Sequence, residues 1–195
     1  MKNNFTSSKK IGTRQLTVVG MLSAISIVLG LTGYGFIPLP TAKATIMHIP
    51  VIIGAIIEGP LVGMMIGLMF GVFSIIQNIT APTFLSFALI NPLVSVLPRV
   101  FIGVTAYYSY KLIKIKNEAA RSAIAAAIGS LTNTFGVLTM IYLLYAAQYA
   151  QKKNIAPSTV EKTIYSIALI NGIPEAIISV LIVIPVVLAV RKIKK

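Results

Sequence analysis

Residues 61–77 read LVGMMIGLMFGVFSIIQ, seventeen residues without a charge, entered through Glu58-Gly59-Pro60 and followed by Asn78. A helix needs roughly 20 apolar residues to cross the hydrocarbon of a bilayer, and fewer where neighbouring protein shields it, so this run predicts a spanning helix. Gly63, Gly67 and Gly71 recur every fourth position and place bare backbone on one face, a surface against which another helix packs closely. Working outward, five more predominantly apolar segments are bounded by charge, proline or polar clusters: residues 16–31, 46–57, about 92–112, 119–149 and about 163–190. A Gly- and Pro-punctuated stretch, 32–45, separates the first two, and residues 79–90 predict a loop or re-entrant piece. The expectation is an all-α membrane protein: a bundle of six transmembrane helices forming a single membrane-embedded domain over residues 1–195.

Composition points the same way. Hydrophobic residues make up 56% of the chain, above the roughly 45–50% of soluble domains, and the mean hydropathy is +0.90. A net charge of +13 would suit a nucleic-acid partner, but only 11% of residues are charged and the cations cluster between or beyond apolar runs. The partner they indicate is the lipid bilayer, not nucleic acid. Lys and Arg are retained on the cytoplasmic side. Lys2, Lys9, Lys10 and Arg14 precede the first segment; Lys111, Lys114, Lys116 and Arg121 lie between the fourth and fifth; Arg191, Lys192, Lys194 and Lys195 end the chain. Those twelve face only Lys43, Lys152, Lys153 and Lys162 on the other side, so both termini are expected in the cytoplasm.

Several chemistries are excluded. With no cysteine there is no disulfide, iron–sulfur cluster or thiolate metal site, and the single histidine, His48, cannot build a metal site alone. No glycine is followed by lysine, so there is no phosphate-binding P-loop, and no nucleophile or metalloprotease motif appears. The reading is of a protein that is not an enzyme and carries no cofactor.

Polar residues inside a membrane are costly and face the bundle interior or a wet cavity, so they mark the candidate site. Asn91, Ser95 and Arg99 repeat every four residues in the fourth segment, as Asn171, Glu175 and Ser179 do in the sixth. Ser130, Asn133 and Thr134 share a face of the fifth, and Gln77 and Asn78 close the third on its outer side. With His48 at the outer start of the second segment, these residues outline a cavity open to the outside. Arg99 and Glu175 pair as a buried salt bridge in one reading. In the other, Arg99 meets a ligand carboxylate with its planar fork and Glu175 accepts from ligand hydroxyl or amide groups. Gly20 and Ala24 form a small-xxx-small pair on the first helix that docks a helix of this chain or of a partner.

Some longer stretches carry a resemblance. They are IMHIPVIIGA at 46–55, leading through Glu58-Gly59-Pro60 to the glycine-spaced third helix, NPLVSVLPR at 91–99 and NGIPE at 171–175. With the basic N-terminus and the Gly/Pro-rich outer loop, they resemble the substrate-binding S components of energy-coupling factor (ECF) vitamin transporters, and among those the pantothenate branch most. The resemblance covers nearly the whole chain. It implies high-affinity vitamin binding in an outward cavity covered by the loop between helices one and two, in a bacterial cell membrane. Transport then requires a transmembrane coupling subunit and two ATPase subunits, the former packing on an Ala-xxx-Ala motif of helix one that maps onto Gly20 and Ala24. Pantothenate would offer its carboxylate to Arg99 and its amide and hydroxyl groups to Asn133, Asn171 and Glu175; with Asn91, Gln77 and His48 from the polar faces above, these are the expected substrate contacts. Another vitamin, such as folate or a hydroxymethylpyrimidine, remains open, as does a stand-alone secondary transporter coupled through Glu175.

Overall fold

A computed structural model describes residues 11–38 and 43–193. Lys2, Lys9, Lys10, Lys194 and Lys195, counted above for orientation, lie outside the described residues. In chain order the elements are α1 (Thr13–Thr32), a hairpin of β1 (Phe36–Pro38) and β2 (Lys43–Thr45), α2 (Ile49–Glu58) and α3 (Pro60–Thr80). There follow α4 (Ser86–Leu89), α5 (Pro92–Ser95), α6 (Leu97–Leu112), α7 (Glu118–Lys153), a 3-10 turn (Pro157–Thr159) and α8 (Val160–Ile193). The chain is an all-α membrane protein, with α1, α3, α7 and α8 long and apolar enough to cross a bilayer. The hairpin pairs Phe36 with Thr45 and Pro38 with Lys43 in antiparallel register.

α2 is only ten residues long, and Ile49 through Ile56 are all buried. A helix that is apolar all round belongs in a core, and α2 packs on α1, α3, α6, α7 and α8 at once. It needs no full bilayer length because protein, not lipid, surrounds it. Gly59 alone joins α2 to α3, at φ 108° and ψ 173°, a conformation open to glycine, and Pro60 then starts α3 where its missing N–H costs nothing. The outer helices carry the opposite pattern to a soluble bundle. On α8, Ala168, Gly172, Glu175, Ser179, Val183 and Val187 face inward, whereas Leu169, Ile173, Ile177, Leu181 and Leu188 face out, where lipid is the solvent.

The glycine stripe of α3 sets the position of α6. A Cβ on Gly67 would collide with the carbonyl oxygen of Arg99, one on Gly63 would come within 2.8 Å of the Gly103 Cα, and one on Gly71 within 2.7 Å of the Val96 Cα. The two backbones touch along this line, so any side chain at Gly67 pushes Arg99 out of place.

The fourth segment departs from the continuous helix expected over 92–112. It breaks at Val96 into α5 and α6, because Pro98 has no N–H to give the Val94 carbonyl. The fifth segment runs on to Lys153 but is bent at Tyr145, whose φ of −134° and ψ of 18° leave the helical region. The third reaches Thr80, and half of 79–90 is loop, interrupted by the single turn α4.

Two apolar clusters result. One gathers α2 with Val62, Ile66, Ile102, Ala126, Val183 and Val187; the other gathers Ala88, Val94, Leu138, Ile141, Tyr149 and Ile164. On α6, α7 and α8 the polar positions 99, 133 and 175 fall in the interval between the two. Basic residues gather where α1 begins and α8 ends: Arg14 pairs with Glu58 at 2.9 Å, and Arg191 with Glu118 at 2.9 Å.

Candidate functional site

A cavity of about 330 Å³ opens between the two clusters. Its walls are Phe36, Thr45 and Met47 from the hairpin and the segment after it, Phe70, Ser74, Gln77 and Asn78 from α3, and Leu89 from α4; Arg99 of α6 and Asn133 of α7 complete it together with Ala81 and Thr83. Pockets for small ligands run from about 300 Å³ upward and are mostly apolar with a few placed polar groups. This one fits that description at the small end.

The placement of Arg99 follows from the break before it. Pro98 leaves the Val94 carbonyl without its helical donor, and buried carbonyls seek another. Arg99 supplies it, its Nη1 donating to Val94 O at 2.9 Å. The guanidinium also sits 5.5 Å from the centroid of the Phe70 ring, a cation–π distance. Arg99 is 7% exposed, and its Nε has no partner. Among the described residues no ion pair joins it to Glu175. Asn133, 5% exposed, likewise has an unpartnered Oδ1. The cavity is therefore lined by one residue with a spare charged donor and one with a spare amide acceptor, and buried polar atoms left open cost free energy unless something fills them.

Its opposite end is polar but self-satisfied. Gln77 Nε2 donates to Gly30 O at 3.0 Å and so ties α3 to α1. Asn78 donates to Ser74 O at 2.8 Å and accepts from Ser86 Oγ at 2.7 Å.

Of the residues singled out in the sequence, the structure brings Gln77, Arg99 and Asn133 into this cavity. His48 lies beside it, fully buried at the N-terminus of α2, its Nε2 2.9 Å from Ser179 Oγ and its Nδ1 unpartnered. Glu175 does not line it; its carboxylate accepts from Thr45 N at 2.9 Å and from the Thr134 hydroxyl. Asn91 and Asn171 are not in its walls either. Asn91 caps α5 by accepting from Leu93 N at 2.9 Å and donates to Tyr145 Oη at 2.9 Å, while Asn171 is half-buried along α8. Phe36, Thr45, Met47, Phe70 and Leu89 were missed, since apolar wall residues look like any other membrane residue and the hairpin joins the site only through the fold.

Gly20 and Ala24 are both exposed on α1, on a face beside its buried Val19, Ser23, Ser26 and Gly30. A Cβ on Gly20 would meet nothing within 4 Å. Packing among the described residues does not use the pair.

A family model described as ECF transporter, substrate-specific component, matches residues 14–187. A protein of Lactococcus lactis subsp. cremoris named pantothenic acid transporter PanT is 29% identical over 201 aligned positions, covering 94% of this chain and 97% of that protein.

Proposed function

We propose, from the premise that this chain belongs to the ECF transporter substrate-specific components, that it is the vitamin-binding S component of a bacterial importer and that its ligand is pantothenate. The observation that carries the ligand is the buried Arg99 with a free Nε in the same 330 Å³ cavity as Asn133 with a free Oδ1. Pantothenate presents a carboxylate for the first and amide N–H and hydroxyl donors for the second, and its gem-dimethyl group suits the walls of Phe36, Met47, Phe70 and Leu89. The pantothenate transporter named above supports the same ligand. A secondary transporter would need an acid free to exchange ions, whereas both oxygens of Glu175 are already engaged.

In this reading the chain is one domain of six membrane-crossing helices, with the α5–α6 pair and the sheltered α2 completing the four long ones. It sits in the cell membrane with both termini in the cytoplasm and works with a transmembrane coupling subunit and two ATPases. Reporter fusions at each terminus should both read cytoplasmic and one at Lys152 exterior; an exterior terminus would overturn the orientation.

The functional test is a melting-temperature screen of the purified chain in detergent against a panel of vitamins, with no gradient present. Pantothenate should raise the transition by several degrees at a hundredfold excess over Kd, since ligand at that level adds about 2.7 kcal/mol to the native state. A shift with another vitamin and none with pantothenate would transfer the site to that ligand.

A further inference from the structure

The end of α6 and the start of α7 carry four cations, Lys111, Lys114, Lys116 and Arg121, against one acid, Glu118. The acid is already claimed: Arg191 pairs with it at 2.9 Å and the Tyr110 hydroxyl donates to it at 3.2 Å. Arg121 closes the end of α6, its Nε and Nη2 donating at 3.1 and 2.8 Å to Tyr110 O, a carbonyl of the last turn with no helical donor. That use leaves its charge uncompensated. Lys114 and Lys116 are exposed and form no ion pair among the described residues. Exposed Ile115 stands between them and exposed Leu112 just before. Lysines interleaved with exposed apolar side chains suit the boundary of hydrocarbon and headgroups, where the stems lie in one and the charges in the other.

A groove of about 190 Å³ opens between the same two helices. α6 lines it with Leu97, Phe101 and Thr105, and α7 with Thr132, Gly136 and Met140. Leu97, Phe101, Thr105, Tyr108 and Leu112 follow at steps of three or four residues, one stripe of α6 that ends at the lysine loop; Gly136, Thr132, Ile128 and Arg121 share a face of α7 that descends to the same loop. The two polar side chains in the lining serve each other. Thr132 donates to Ile128 O at 2.8 Å, and its oxygen lies 2.9 Å from that of Thr105. Water, which needs several polar partners, gains nothing there. At about 1.5 Å per residue, Thr105 lies about 10 Å and Phe101 about 17 Å in from Leu112, the depth reached by the distal half of an acyl chain in a leaflet of about 15 Å.

We propose that α6, α7 and the loop between them bind one anionic phospholipid of the bilayer, its phosphate at Lys114, Lys116 and Arg121 and one acyl chain laid in the groove. The uncompensated cations match a phosphodiester, and the dry groove at chain depth matches the tail of the same molecule. Retention of cations on one side of the membrane is satisfied by lysines anywhere in the loop and calls for no groove above them. The groove shares no lining residue with the 330 Å³ cavity, so this site stands apart from the vitamin reading.

The test is native mass spectrometry of the full chain in a non-ionic detergent, titrated with lipids. Dioleoyl phosphatidylglycerol should bind at one equivalent and about tenfold or more tighter than dioleoyl phosphatidylcholine. Lys114→Gln with Lys116→Gln should bring the first lipid down to the level of the second and leave the second unchanged. Met140→Trp, which fills the groove from its rim, should weaken dioleoyl phosphatidylglycerol by about tenfold. It should leave the dihexanoyl lipid, whose chains are too short to reach the groove, bound as before, which also shows that the variant folds. Should Met140→Trp lose that binding as well, Leu97→Trp fills the groove from the other helix and is held to the same expectation. Equal affinity of the parent for the two headgroups overturns the proposal, as does undiminished binding of dioleoyl phosphatidylglycerol in the lysine variant or in a folded groove variant. Displacement of the lipid by inorganic phosphate at equal concentration also overturns it, because that marks a site for a bare anion.

Discussion

Arg99→Gln is expected to weaken pantothenate binding by about thirtyfold or more, since removing one partner of a desolvated charge pair costs roughly 2–5 kcal/mol. The geometry makes this a test of ligand contact and not of a salt bridge. Arg99 donates to a backbone carbonyl and stacks on Phe70, with its Nε left open. If it were instead the counter-charge of Glu175, the substitution would strand a buried carboxylate, and adding Glu175→Gln would restore stability. The expected double-mutant cycle shows no such rescue: the changes in unfolding free energy add to within about 0.5 kcal/mol, while affinity stays low wherever Arg99 is absent. Binding of an amide analogue as tightly as the acid would remove Arg99 from the ligand.

Replacing Gly20 and Ala24 together with leucine should abolish vitamin uptake and assembly with the coupling subunit, and leave binding by the purified chain within about twofold of the parent. The asymmetry follows from exposure. Both residues are exposed among the described residues, none of which comes within 4 Å of a Cβ built on Gly20, so added bulk meets no obstacle there. Close approach of another helix does need small residues there. Uptake at the parental rate would show that this face of α1 is only a lipid surface.

How much of this could be read from residues alone depended on how local the cause was. The apolar runs and their polarity are local, and helices stand where the apolar segments were drawn, the fourth broken at Val96, because hydrocarbon forces every backbone group into an internal bond. Arg99, Asn133 and Gln77 could be found because buried polar groups on helix faces are conspicuous in a chain this apolar. Asn91 was drawn onto the Arg99 stripe by its spacing, yet Asn91-Pro92 is also a helix-start signal, an Asn cap before a proline at the first helical position, and that local chemistry prevailed. The break at Val96 likewise follows from Pro98 by a rule about one missing N–H. No such rule reaches the partner of Glu175, since Thr45 lies 130 positions away and contributes its backbone, which has no signature in sequence. Asn171 and Glu175 share a stripe on α8, but only the fold decides that a hairpin strand lies over one of them.

The bond from Arg99 to the Val94 carbonyl has a consequence for how such a binding site can diverge. A guanidinium oriented by another side chain moves whenever that neighbour is exchanged, so the cation and its support must change together. Here the support is a peptide group released by Pro98, present whatever residue occupies position 94. The cation is thus insulated from substitution in the surrounding wall. Phe36, Met47 and Leu89 can drift in size and shape around a positive charge held by that peptide group and the Phe70 ring, and descendants of this scaffold can sample new acidic ligands one such wall residue at a time without first losing their grip on the acid.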